Sequence, residues 1–216
     1  MRCLLASEPE LRAQMPPAAQ WLTPSEAARL QALGSPARRD TFLAGRWLAR
    51  QALQRWCGSA LMPRLDVAAS GACIVADGSG THVSISHSRG QVACVTAGAP
   101  VGVDVEDLGR PRDHLSIART VHSPAQCAQL AALPEEARAQ AFLQWWTLKE
   151  AWLKARGQGL DFARMRALAF EPADDGDVAV TRIGSLVLAV AAVQGLPVRI
   201  DGPAPDAVWQ RHRTVG

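Results

Sequence analysis

Apolar and polar positions along this chain follow a period near 3.6, then a period of two, and then repeat that order once. Thr23-Pro24-Ser25-Glu26 has the form of a helix start, with Thr23 as N-cap, Pro24 at the first helical position and Glu26 completing a capping box. That helix is expected to run to Leu33 and stop at Gly34-Ser35-Pro36. A longer helix over about Ala37 to Trp56 follows, with Phe42, Leu43, Trp47, Leu48 and Leu53 as apolar positions and Cys57-Gly58 as its end. Its other side carries Arg39, Arg46 and Arg50 with no matching acid, which fits either a solvated surface or an anion site. Alternation takes over in Thr81 to Ser88, where Val83 and Ile85 point one way and Ser84, Ser86 and Ser88 the other. Strands over Gln91–Ala97 and Val101–Glu106 extend it into an expected β meander or hairpin system that turns at Gly98-Ala99-Pro100. Residues 1–22 are ambiguous, and 60–79 read as irregular with a weak strand at Ala72–Ala76.

The second round has helix starts at Ser123-Pro124 and Pro134-Glu135-Glu136. A tryptophan-rich helix is expected over Glu135 to Arg156, closed by Gly157 in a left-handed cap. Strands are predicted at Ala167–Phe170, Val178–Arg182 and Leu186–Val193, with a short one at Val198–Ile200 before a Pro-rich tail. Helices then strands, in 23–106 and again in 113–200, give an α+β fold of two similar halves, 1–100 and 101–216.

Bulk properties narrow the function classes. At 216 residues with 48% hydrophobic and 20% charged positions the chain can bury a proper core. It lacks an apolar run of ~18 residues, so no membrane span is expected. Met1 to Glu10 lacks the basic-then-apolar order of a secretory signal. Five scattered cysteines without CxxC spacing argue against a disulfide framework and a zinc site, and fit a reducing cytoplasm. The net charge of +3 is too small for nucleic-acid binding to be expected, although residues 1–100 carry ten arginines against six acidic residues. An anionic ligand or an acidic protein partner stays open.

The candidate chemistry sits in two short stretches. Asp104 and Glu106 are two apart on a strand and project to one face, as paired carboxylates that need a cation. Oxygen ligands of this kind suit Mg²⁺ bound together with substrate phosphates. Glu150 and Lys154 are four apart on the tryptophan helix. Alone, each pair fits an ordinary solvated face. Trp145, Trp146 and Trp152 lie within eight residues, however, and argue that this helix is largely buried. Packed on the Val101–Glu106 strand, it would bring Glu150 to the acidic pair and Lys154 one turn further on. His87 is a possible donor to phosphate; the other histidines have no partner pattern.

Ser84-Ile85-Ser86-His87-Ser88, Gly102-Val103-Asp104-Val105-Glu106 and Trp146-Thr147-Leu148-Lys149-Glu150-Ala151-Trp152-Leu153-Lys154, with Gly157-Gln158-Gly159-Leu160 behind it, stand in that order. Together with Phe42-Leu43-Ala44-Gly45-Arg46 this resembles the 4′-phosphopantetheinyl transferase superfamily, in its larger, Sfp-like branch. The family's asparagine in the first motif is Ser84 here, and its Gly-Lys/Arg-Pro segment is absent from Ser70 to Gly80. Arg64 or an arginine of the 38–50 helix is the candidate replacement.

The resemblance implies a monomer with pseudo-twofold symmetry, its active site between the halves, serving an apo acyl or peptidyl carrier protein. Asp104, Glu106 and Glu150 would hold Mg²⁺. A serine of the carrier would attack the β-phosphate of coenzyme A, with Glu150 taking its proton and Lys154 stabilising the departing 3′,5′-ADP. Ser86 and His87 would contact nucleotide phosphates, and Arg39 and Arg46 are candidates for the 3′-phosphate. The rival is a non-catalytic coenzyme A or carrier-protein binding module on the same scaffold.

Overall fold

The structure is a computed structural model and describes residues 1–197, 199–204 and 206–215. The chain opens with β1 (Arg2–Ser7) and α1 (Glu8–Gln14), in a stretch whose periodicity is too short to read. Ser7 ends the strand and caps the helix, its backbone N–H donating to Glu10 Oε2 at 2.9 Å. In α2 (Pro24–Ala32) the expected capping pair forms: Thr23 N donates to Glu26 Oε2 at 2.9 Å. The long helix α3 (Pro36–Cys57) ends where Gly58 takes φ +62°, a value that favours glycine.

Two short strands, β2 (Leu65–Val67) and β3 (Cys73–Val75), pair across the segment that reads as irregular. β4 (His82–Ser88) and β5 (Gln91–Ala97) form a hairpin, and β1 pairs with the other side of β5, giving a three-stranded antiparallel sheet. The expected meander stops there. β6 (Val101–Asp107) leaves the hairpin and becomes the edge of a second sheet, paired with β9 rather than β5. Both edges of β5 are already taken, by β1 and β4, so β6 finds its backbone partner in the apolar strand β9.

The second half continues with α4 (His114–Val121), α5 (Pro124–Ala132) and α6 (Glu135–Ala155). α7 (Phe162–Ala167) takes residues up to the expected strand, which begins later as β7 (Ala169–Pro172). Asp161 explains the shift, because its carboxylate accepts from Ala163 N and Arg164 N and starts a helix. With β8 (Val178–Ile183), β9 (Leu186–Ala192) and β10 (Gln210–Val215) the second sheet has the order β6-β9-β8-β10-β7. The tail is therefore partly strand: Gln210–His212 pair with β8 and His212–Val215 with β7. In the expected strand at Val198–Ile200, Val198 lies outside the described residues, and Arg199 and Ile200 form no strand.

The strands' alternation distributes their side chains between three cores. Val92 and Cys94 pack with α3, while Ala93 and Val95 face the second sheet. Val103 and Val105 join Leu188 and Val190 between the sheets, and Ala189 and Ala191 turn to α6. α6 buries Phe142, Leu143, Leu148, Ala151 and Leu153 there, while Trp145, Trp146 and Trp152 are only partly buried. The expectation of a largely buried helix is met through its Phe and Leu residues, with the three tryptophans half-buried around them.

Candidate active site

Three elements meet at the edge of β6. α6 lies across it so closely that a Cβ on Gly102 would overlap the Ala151 carbonyl oxygen and stand 2.6 Å from Ala155 N. This approach, open only to glycine, sets Lys154 against Asp104. On the other side β4 runs along β6 without a backbone ladder, and its serines supply the bonds. Val103 N donates to Ser84 Oγ at 3.2 Å and Val105 N to Ser86 Oγ at 3.4 Å. Ser86 Oγ donates to Asp104 Oδ1 at 2.7 Å and Ser88 Oγ to Glu106 Oε2 at 2.9 Å. Ser84 thus keeps a half-buried bond at the position of the family's asparagine.

Lys154 Nζ lies 2.6 Å from Asp104 Oδ1, 3.2 Å from Glu150 Oε2 and 3.3 Å from Ser86 Oγ. Burial and the Glu150 charge push the Asp104 carboxyl up, to about 6, against the pull of Lys154. Burial opposes the Lys154 ammonium as well, but Asp104 and Glu150 outweigh it and hold its pKa above the usual lysine value. Asp104 Oδ2 is buried and has no hydrogen-bond partner. An unpartnered carboxylate oxygen next to a second carboxylate fits a hard divalent cation, which takes oxygen ligands. Among the described residues no three histidine, cysteine, aspartate or glutamate side chains gather closely enough to share one ion. Glu106 is drawn aside, its Oε2 held at 2.6 Å by Arg112 as well as by Ser88.

Lys154 also lines a cavity of about 620 Å³ that runs from Arg29 and Arg38, past Gly45 and Ser84, to His87 and Gly157–Gly159. His87 is exposed on this wall, where partial desolvation and then the Lys154 charge keep its pKa below the ordinary histidine value. Of the two arginines expected at a phosphate, Arg46 borders the cavity but is 3% exposed. It donates to Asp66 O at 2.9 Å and faces Glu26 at 3.7 Å. Arg39 is not part of the wall, and its Nε donates to Leu33 O. The arginine stripe of α3 has an acid after all: Glu26, fully buried, pairs with Arg50 at 2.6 Å, so α3 and α2 are joined through the residue that caps α2. Arg29 and Arg38 reach the cavity instead, exposed and without an ion-pair partner among the described residues. Arg38 falls within the 38–50 helix expected to supply a replacement arginine, whereas Arg29, on the preceding helix, escaped the sequence reading. Ser70, Gly71 and Ala72 border the cavity at the segment where the family's Gly-Lys/Arg-Pro is missing.

Comparison with known proteins fits this geometry. Residues 26–97 match the 4′-phosphopantetheinyl transferase N-terminal domain, and residues 100–194 match the 4′-phosphopantetheinyl transferase superfamily. The chain is 30% identical over 179 residues to the 4′-phosphopantetheinyl transferase HetI of Nostoc sp., covering 81% of this chain and 76% of that one. It is 34% identical over 122 residues to AcpT of Salmonella typhimurium, covering 56% and 60% of the two chains. With Sfp of Bacillus subtilis it shares 29% over 99 residues, 46% of this chain and 43% of Sfp. Matches to both halves, and a relative aligned over most of its length, place the chain in the 4′-phosphopantetheinyl transferase superfamily, Sfp-like branch, whose members transfer the phosphopantetheine group to carrier proteins.

Proposed function

We propose that Asp104, Glu106 and Glu150 hold Mg²⁺ for transfer of the 4′-phosphopantetheine arm from coenzyme A to a serine of an apo acyl or peptidyl carrier protein. The observation that carries this reading is the convergence of Asp104, Glu150 and Lys154 on one point of the cavity wall, with a buried oxygen of Asp104 unpartnered. When bound, the metal would draw charge from the phosphate oxygens. Glu150 takes the proton of the carrier serine as its oxygen bonds to the β-phosphorus, and the bond to 3′,5′-ADP breaks. Lys154 neutralises the charge left on the departing phosphate, and its raised pKa keeps it protonated for that task. Ser86 orients Asp104, and His87 is a phosphate contact beside Lys154. Arg29 and Arg38 stand where phosphates of the nucleotide end would need cations in place of the missing Gly-Lys/Arg-Pro segment; Arg39 and Arg46 are tied elsewhere.

The two halves, 1–100 and 101–216, contribute to the cavity together, since Arg38, Ser84 and His87 face Lys154 and Gly157 across it. A monomeric, cytoplasmic enzyme is part of this reading, and five free cysteines accord with a reducing compartment. A non-catalytic binding module is not favoured, because every relative named above is a transferase. Labelled pantetheine should be transferred to an apo carrier protein in the presence of Mg²⁺, and Asp104→Ala or Glu150→Ala should abolish the transfer. Undiminished transfer by the wild type in excess EDTA would sink the metal assignment.

A further inference from the structure

The tip of the β4–β5 hairpin holds a backbone conformation that its residue does not favour. Ser88 and Gln91 pair, which leaves Arg89 and Gly90 as a two-residue loop with φ +47° and +75°. Positive φ at both positions marks the type I′ turn, which takes Asn-Gly or Asp-Gly because those residues enter the left-handed region readily. Among the described residues Arg89 alone, glycines aside, has a positive φ, and a residue held there costs stability. We propose that Arg89 is a positioning residue: it clasps the hairpin that carries His87 to the turn after β6, and so holds the two walls of the cavity at the separation that coenzyme A requires. The inference rests on the transferase reading of the site.

Arg89 Nη1 donates to Gly109 O at 2.6 Å, and its Nε lies 3.8 Å from Asp107 Oδ2. Gly109 N donates to Asp107 Oδ1 at 2.7 Å, so the guanidinium meets a turn that is already folded. Asparagine would suit the backbone of the loop, but its side chain ends well short of the distance an arginine spans. The contact matters because β4 and β6 belong to different sheets and meet without a backbone ladder. Serine hydroxyls make the bonds along the seam, and Arg89 extends them past its end. The other side of the tip is tied within its own half, where Glu8 N donates to Gly90 O at 2.7 Å. His87 lies two residues before Arg89 and, by the alternation of the strand, on the face opposite Ser86 and Ser88. There it lines the cavity with Arg38, and Lys154 and Gly157 line it from the second half. A ligand that touches both walls binds more tightly when a link between them fixes their separation in advance.

The guanidinium is half-exposed, so an ordinary surface contact is the alternative, and stability and affinity together separate the two. The experiment is calorimetry of coenzyme A binding at low salt and at about 1 M salt, where exposed charges are screened, alongside urea unfolding and transfer kinetics.

Arg89→Asn is expected to keep or raise the urea midpoint, because relief of the turn offsets the lost bond. The same variant should bind coenzyme A about three- to tenfold more weakly at both salt concentrations. Its KM for coenzyme A should rise by a similar factor, with kcat little changed. Arg89→Gly should repeat the loss of affinity, and it carries the affinity test should Arg89→Asn not fold. Unchanged affinity in a folded variant overturns the assignment. A lower affinity accompanied by a lower midpoint in Arg89→Asn makes Arg89 a merely structural contact, and a loss that disappears in high salt makes it a charge alone; either result overturns the assignment too. A wild-type protein that neither binds coenzyme A nor transfers pantetheine overturns the transferase reading instead.

Discussion

Lys149 is fully buried, and its ammonium is saturated all the same. Nζ reaches Val121 O at 3.1 Å, Gln126 Oε1 at 2.8 Å and His122 Nδ1 at 2.9 Å, one acceptor for each proton. Burial lowers its pKa to about 7. The same burial, and then the Lys149 charge, lower that of His122 to about 3, so the ring stays neutral and accepts. In the unfolded chain His122 titrates near 6.5, and there it binds a proton that the folded state refuses. Its contribution is therefore complete above about 6.5 and is lost as the pH falls toward about 3. Urea unfolding midpoints followed across that window should fall with acid, and less steeply in His122→Gln. Equal slopes would remove His122 from the account. A lysine one residue before Glu150, in a run that also holds Lys154, reads as another surface charge. Its acceptors lie 23 to 28 residues away in sequence, which no local spacing reveals.

Between elements, the contact of α6 with β6 decides whether Glu150 and Lys154 meet Asp104. Gly102 permits it, since any Cβ would strike the α6 backbone at Ala151 and Ala155. Gly102→Ala is expected to cost about 1–3 kcal/mol in urea denaturation, as overpacking does, and to lower transfer because Glu150 and Lys154 move away from Asp104. Gly45 provides the comparison. There a Cβ would meet only Ile85 Cγ2, at 3.1 Å, the end of a side chain that can shift, so Gly45→Ala should be milder. A midpoint for Gly102→Ala equal to that of Gly45→Ala would contradict the close approach. The serine stripe of β4 works at the same scale: three hydroxyls replace a ladder that β6 lacks on that side.

For the whole molecule, the cavity takes arginines from α2 and α3 and Lys154 from α6, so coenzyme A would bind the assembled fold and not its parts. At a concentration 100 times its Kd, it should stabilise the protein by about 2.7 kcal/mol, read as a raised thermal midpoint. Arg38→Ala should weaken binding by on the order of 1 kcal/mol, roughly fivefold, whereas Arg39→Ala should leave it unchanged. Calorimetry that shows the reverse order would exchange the two arginines' roles.

Local signals in the sequence were sufficient for several features that depend on a few neighbouring residues, although the caps at Ser7 and Asp161, equally local, went unread. The Thr23–Glu26 cap, the end of α3 at Gly58, the alternation of β4 and the i,i+4 pair Glu150–Lys154 all have causes within one or two turns of chain. Asp104 could be set beside Glu150 and Lys154 beforehand only on the condition that the tryptophan helix packs on the strand, or through resemblance to a family, and the tertiary packing brings the three within reach. Other features were decided by the fold alone. β6 joins β9 because a long apolar strand arrives 80 residues later. Arg46 and Arg50 are claimed by Glu26, which sequence assigned only to a cap, because two buried guanidiniums need a charged partner. Arg38 rather than Arg39 faces the cavity, since one residue on a helix is a rotation of about 100°. The tryptophan helix carries its acid and its lysine to the site, but the glycine of the facing strand determines how near they come.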